Sequence, residues 1–162
     1  MKLLEKCANI AVIVGVAAFL FVIVRGELNK NKQSAPPRAL VGTSVTLPGT
    51  QLNPRHNSLL VAISTTCHFC KDSLPFYKTL AEKAQGKLDV IAVFPQPVAE
   101  AQSFLQQAQV APTSIVSADF SKIGVQATPT MLLVDPHGKV LEEWMGKQDD
   151  SGEQRVLARV LQ

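Results

Sequence analysis

Thr65-Thr66-Cys67-His68-Phe69-Cys70-Lys71 holds two cysteines one helical turn apart. Two thiols at that spacing can close a disulfide with each other and reopen it by exchange with another dithiol. The flanking residues favour that chemistry. An apolar run, Leu59-Leu60-Val61-Ala62-Ile63, leads in, and a helix-like run over 71–84 leads out. A buried strand that ends where a helix begins puts Cys67 at the helix N-terminus. Unpaired backbone N–H groups and the positive end of the helix dipole lie there. Both favour a thiolate over a thiol, so Cys67 is expected to ionise more readily than a free cysteine. His68 lies between the cysteines. Its charge or hydrogen bonding would stabilise the Cys67 thiolate and make the disulfide more oxidising; the plainer reading is an exposed first-turn residue with little influence. Phe69 is read as an apolar contact for unfolded clients, or as a packing residue of the domain.

The elements that must position this motif take up most of the chain. It has 162 residues and a formal net charge of +3, which fits one ordinary domain plus something extra. The basic excess is spread along the chain, so no nucleic-acid partner is expected. Three cysteines are too few for a disulfide framework. The third, Cys7, is read as a small apolar residue.

Residues 1–7 form a short N-terminal tail. Residues 8–24 are apolar apart from Asn9. As a helix they would span roughly 25 Å, the short end of the transmembrane range, with Lys6 and Arg25 snorkelling to the interfaces. An uncleaved anchor in the lipid bilayer is expected, in preference to a cleaved signal, because Arg25-Gly26-Glu27 makes a poor cleavage site. The positive-inside count over Lys2, Lys6, Arg25, Lys30, Lys32 and Arg38 favours a cytoplasmic C-terminal domain. Residues 25–39 are polar, carry Pro36-Pro37, and read as a linker.

Residues 40–162 have globular composition and alternate strand and helix. An edge strand is predicted over 41–47, a central strand over 59–64, and a helix over 67–83 broken by Pro75 and ended at Gly86. A strand follows over 88–94 and an amphipathic helix over 98–109. A short strand is predicted over 114–117 and a short helix capped by Asp119. A hairpin over 130–145 turns at Asp135-Pro136-His137-Gly138, with Trp144 as a packing residue, and a final helix covers 150–161. This order predicts an α/β fold, a central mixed sheet flanked by helices.

With these elements in place, the chain from residue 40 onward resembles the thioredoxin superfamily. The likeness rests on Cys67-x-x-Cys70 after a buried strand, Pro75 five residues beyond, Ala127-Thr128-Pro129-Thr130 opening a strand, the hairpin, and Gly146 before the last helix. The anchor, the linker and the 41–47 segment look like the membrane-tethered branch typified by the TlpA and ResA reductases. The resemblance implies a thiol–disulfide oxidoreductase with no dissociable cofactor. Cys67 would be the attacking thiolate and Cys70 the resolving thiol. Pro129 would be the cis-proline, exposing the Thr128 backbone to an extended client segment. It further implies protein thiol or disulfide clients, a membrane redox partner that recharges the pair, and an extracytoplasmic domain, against the charge count. The role would be cytochrome c maturation-like or general.

The sequence departs from the family in three respects, at four positions. Thr66 stands where many thioredoxins have Trp. Val61 and Ala92 stand where cytoplasmic thioredoxins carry a buried Asp and its Lys partner. Ser73 stands where some cytochrome-maturation reductases have a carboxylate. Two other functions compete. A copper metallochaperone would use Cys67, Cys70 and His68, but needs another ligand. His137 is about eight strand residues, roughly 25 Å, from Pro129 and is read as a turn residue, so no metal site is expected. A peroxiredoxin-like peroxidase would use Ser64, but Leu60 stands where its proline is needed.

Overall fold

The computed structural model describes residues 40–162. The tail, the anchor over 8–24, the linker over 25–39 and Cys7 lie outside the described residues. Among the described residues no helix is long and apolar enough to cross a membrane.

The apolar run in front of the cysteines is strand β1, Ser58–Ala62, buried along its whole length. A strand without a polar face must be covered on both sides, and this one lies at the centre of a five-stranded sheet. Strands β2 (Asp89–Phe94), β3 (Ser114–Ser117), β4 (Thr130–Val134) and β5 (Val140–Met145) complete it in the order β3-β2-β1-β4-β5. Strand β2 runs parallel to β1 and β3, while β4 runs antiparallel to both β1 and β5. The sheet is therefore mixed. Its register sets the site: Ala62, at the end of β1, is opposite Thr130, at the start of β4. The residues just before Thr130 are thus carried to the point where β1 runs out toward Cys67.

Helices α1 (His68–Asp72), α2 (Leu74–Ala84), α3 (Val98–Gln107) and α4 (Asp150–Val160) supply the cover. Phe76, Tyr77 and Leu80 of α2, Ala101 and Leu105 of α3, and Val156 and Val160 of α4 pack in one cluster with Leu59, Val61, Met131 and Leu133. The other sheet face presents Leu60, Ala62, Ile91, Val93, Leu132 and Val134. Val45, Leu47 and the segment around a 3-10 turn, Phe120–Ile123, close it. Asp119 caps that turn by accepting from Ser121 N, as expected.

Two expectations change. The predicted helix break at Pro75 falls earlier, at Ser73, which ends α1 and caps α2. Proline lacks an N–H, and its ring collides with the carbonyl four residues back, so the disruption shows upstream of Pro75. Pro75 itself sits in the first turn of α2, where its missing N–H costs nothing. The predicted edge strand over 41–47 is not a strand of the sheet. It touches the hairpin through one bridge, Ser44 with Lys139, and through backbone bonds such as Gly42 N to Val140 O at 2.8 Å and Val45 N to Gly138 O at 2.8 Å. Gly42 at φ +87° turns the chain out of a strand path. Gly138, at φ +82°, allows the approach: a Cβ there would lie 2.5 Å from the Val45 carbonyl oxygen.

Candidate functional site

Beyond Ala62 the chain keeps its sheet bond for one more residue, Ile63 N to Val93 O at 3.0 Å, and then turns. Cys67 N donates to Ser64 O at 3.2 Å, which closes that turn. Cys67 is the N-cap of α1, with extended backbone and its side chain in the capping position. Its Sγ accepts from Cys70 N at 3.1 Å. A helix start leaves its first N–H groups without intrahelical partners, and here one of them is spent on sulfur. The same bond favours negative charge on Sγ when the disulfide is open.

Cys67 and Cys70 are joined in a disulfide with Cα atoms 5.2 Å apart. The two sulfurs face different surroundings. Cys67 is half-buried, whereas Cys70 is fully buried among Leu59, Val61, Phe76 and their neighbours. Of the two, only Cys67 has surface exposed to solvent. Across from the disulfide, the Thr128 carbonyl oxygen is 3.5 Å from Cys67 Sγ. The Thr128–Pro129 peptide bond is cis, and Pro129 is buried. This loop is pinned at both ends: Pro129 O accepts from Gly146 N at 2.7 Å, and Thr130 Oγ1 donates to Ala127 O at 2.8 Å. Cys67, Cys70, Thr128 and Pro129 thus lie together.

His68 and Phe69 lie on the exposed side of α1. The His68 side chain is 81% exposed, and its Nε2 is 3.7 Å from Asp72 Oδ2 one turn along the helix. Lys147, from the loop after β5, reaches the same oxygen at 3.4 Å. The imidazole thus lies in water on the Asp72 side of the helix. Phe69 is 58% exposed, so it does not pack into the domain. Val98 at the start of α3 also faces water rather than joining its apolar stripe.

The surroundings of Cys70 are apolar where cytoplasmic thioredoxins are charged. Val61 and Ala92 are register partners, and both are buried. Ser73 is buried and donates from Oγ to Phe69 O at 2.9 Å. Tyr77 hydrogen-bonds the Ser73 side chain, but burial outweighs that bond and pushes its phenol well above the usual tyrosine range. Tyr77 therefore stays neutral at physiological pH.

Trp144 is half-buried opposite Met131, a packing residue as read. His137 is exposed in the hairpin turn, at the far end of β4 from Pro129. Among the described residues, no group of three or more His, Cys, Asp and Glu side chains is placed to hold a metal ion.

Sequence reasoning missed the polar residues framing the motif. Asp72 carried a signal, four residues from His68 on one helix face. Lys147, Gln96 and Glu100 carried none, because each is brought in by a different element. Thr65 Oγ1 donates to Glu100 Oε1 at 2.5 Å, and Gln96 Nε2 donates to Ser64 Oγ at 2.8 Å.

No family model matches the chain, and no curated protein matches it. Solved structures do. A protein named as a thiol:disulfide interchange protein, DsbE, from Chlorobium tepidum is similar at 23% identity and TM-score 0.56, over 74% of this chain and 99% of that one. StoA from Bacillus subtilis is similar at 14% identity and TM-score 0.54, over 75% of this chain and 98% of its own. A secreted Mycobacterium tuberculosis disulfide oxidoreductase is similar at 14% identity and TM-score 0.51, over 65% of this chain and 80% of that one. At these identities the likeness establishes the fold, which is thioredoxin-like.

Proposed function

We propose that the chain is a thiol–disulfide oxidoreductase that exchanges the Cys67–Cys70 disulfide with protein clients. One observation carries this reading: a disulfide whose accessible sulfur accepts a helix N–H while its partner sulfur is fully buried. In the reducing direction, the Cys67 thiolate attacks a client disulfide. An intermolecular S–S bond forms, and the client's other sulfur leaves as a thiolate. Cys70 then loses its proton, and its thiolate attacks Cys67 Sγ. The intramolecular disulfide reforms, and the client leaves with two electrons and two protons gained. In the oxidising direction the same steps run backward, beginning with a client thiolate on Cys67 Sγ.

Thr128 and Pro129 bind the client in this reading. The Thr128 carbonyl beside Cys67 is an acceptor for the N–H of an extended client segment. Phe69 supplies an exposed apolar contact, and His68 tunes the thiolate from the Asp72 side of the helix. No dissociable cofactor takes part. A second dithiol or disulfide protein must recharge the pair.

An extracytoplasmic location fits this chemistry, since disulfides persist in oxidising compartments. One of the similar structures is of a secreted protein. The apolar run over 8–24 would anchor the domain to the bilayer and hold it near a membrane redox partner. Cytochrome c maturation-like reduction and general redox work both match the mechanism.

Serine substitution tests the roles. Cys67→Ser should abolish exchange with a disulfide-bonded client protein. Cys70→Ser should accumulate a mixed disulfide at Cys67, seen as a reducible adduct on a non-reducing gel. Undiminished exchange by Cys67→Ser would refute the proposal.

A further inference from the structure

The loop that places Thr128 beside Cys67 begins at Gly124, where the 3-10 turn ends. Val125 N donates to Phe120 O at 3.0 Å. Val125 and Pro129 are buried, Gln126 and Ala127 between them are exposed, and Thr128 is half-buried. The Thr130 hydroxyl and Gly146 N hold the far end of the loop. The near end is covered by a residue from the start of the domain. A Cβ added at Gly124 would lie 2.6 Å from Leu40 Cδ2, so the Leu40 side chain is seated directly on Gly124.

Leu40 is held on both sides of its backbone. Its N donates to Glu143 Oε2 at 3.0 Å, and its carbonyl accepts from Thr43 N at 3.0 Å and Thr43 Oγ1 at 2.7 Å. Val140 N donates to Thr43 O at 2.8 Å, which ties that turn to β5. Among the described residues, Glu143 is the only Asp or Glu that is buried. Its register partner is Leu132, so its side chain shares the sheet face of Leu60, Leu132 and Val134. Taking an acid side chain out of water is costly, and an apolar residue would pack on that face without the cost. What Glu143 adds is an acceptor for Leu40 N.

We propose that Leu40 is a positioning residue for the client loop, latched in place by Glu143. It holds Gly124, and with it the segment that carries Thr128 to Cys67. The inference rests on the reading of Thr128 and Pro129 as client-binding residues. Leu40 packs with the apolar cluster on one sheet face, whereas Cys67 and Cys70 pack with the cluster on the other. Loosening the latch therefore disturbs client binding and leaves the surroundings of the sulfurs intact.

The test follows single-turnover oxidation of the reduced full chain by a disulfide-closed peptide and, separately, by oxidised glutathione. Leu40→Ala uncovers Gly124, and Glu143→Leu removes the acceptor while filling its space. Each should raise the half-saturating peptide concentration about three- to tenfold, as fewer loops sit in the binding position, with the maximal rate unchanged. The rate with glutathione should stay at the wild-type value. Glu143→Gln keeps an acceptor oxygen and should restore peptide binding. Amide hydrogen exchange is the second readout. In Leu40→Ala the amides of Val125, Gln126, Ala127 and Thr128 should exchange faster, while those of β1 and β4 stay protected. Val45→Ala, on the same segment and buried on the same face, is the control for stability alone. It should lower Tm without weakening peptide binding. Wild-type peptide binding and wild-type loop exchange in Leu40→Ala would overturn the proposal, as would equal weakening by Val45→Ala. If the wild-type chain reacted with neither substrate, the redox reading would fail, and amide exchange alone would still decide whether Leu40 holds the loop.

Discussion

Phe69 lies beside the disulfide with 58% of its surface in water. An aromatic side chain left that exposed contributes little to folding, so its position needs another explanation. Contact with a client supplies one. Phe69→Ser should change stability by less than about 0.5 kcal/mol, as surface substitutions away from special features usually do. It should slow exchange with an unfolded disulfide-bonded protein severalfold, yet leave exchange with glutathione unchanged, because a tripeptide has no apolar side chain to lay against the ring. Stopped-flow rates on the two substrates separate the effects. Equal slowing on both would mean that Phe69 acts on the sulfur and not on the client.

The helices show what the sequence could and could not disclose. Cys67 and Cys70 were legible because strand and helix signals bracket them locally, whereas Pro129 was read only through the family resemblance. Val61 and Ala92 were read as an uncharged pair only through the family resemblance, and the sheet register then pairs them. The break at Ser73 was read two residues late, since the visible signal, Pro75, acts on the turn before it. The 41–47 segment was misread as a strand because its alternation is genuine: Val45 and Leu47 do point into the core. What the pattern could not show is that Gly42 bends the backbone away from ladder pairing. Gln96 and Lys147 were illegible for a third reason, as side chains from remote elements meet the motif only after folding.

Helix α4 also carries a pH dependence. Asp149 caps it, with Oδ1 accepting from Gly152 N at 2.6 Å and from Ser151 Oγ at 2.9 Å. The Gly152 bond first, and the Ser151 bond second, hold its carboxyl below the usual value. A carboxyl whose folded pKa is depressed stabilises the fold above its unfolded pKa, and that contribution is lost as pH falls through the folded pKa. Asp149→Ala should therefore lower Tm by a few degrees at neutral pH. The gap to wild type should close below about pH 4. Thermal melts by circular dichroism across pH 3–7 would show whether the gap closes.

At the scale of the whole molecule, two apolar clusters on either face of one sheet hold the site together. Both are built from residues within 40–162, and the chain entry is tied down by Leu40 N donating to Glu143 Oε2 at 3.0 Å. Leu80 is fully buried in the cluster that also seals Cys70. Leu80→Ala should cost about 2–5 kcal/mol, read from denaturant unfolding, and should make Cys70 accessible to alkylating reagents at lower denaturant. The buried cysteine and the fold are thus coupled: the packing that stabilises the domain also keeps Cys70 out of solvent.

The exchange role of the Cys67–Cys70 pair is tested by its redox titration against a glutathione series, read by thiol trapping. One two-electron transition should appear, about 30 mV per tenfold change in ratio, with a midpoint between about −270 and −120 mV. A midpoint near the lower end would assign a reductase, and one near the upper end a disulfide donor. Two cysteines that titrated independently, or that formed no disulfide at any poise, would contradict it.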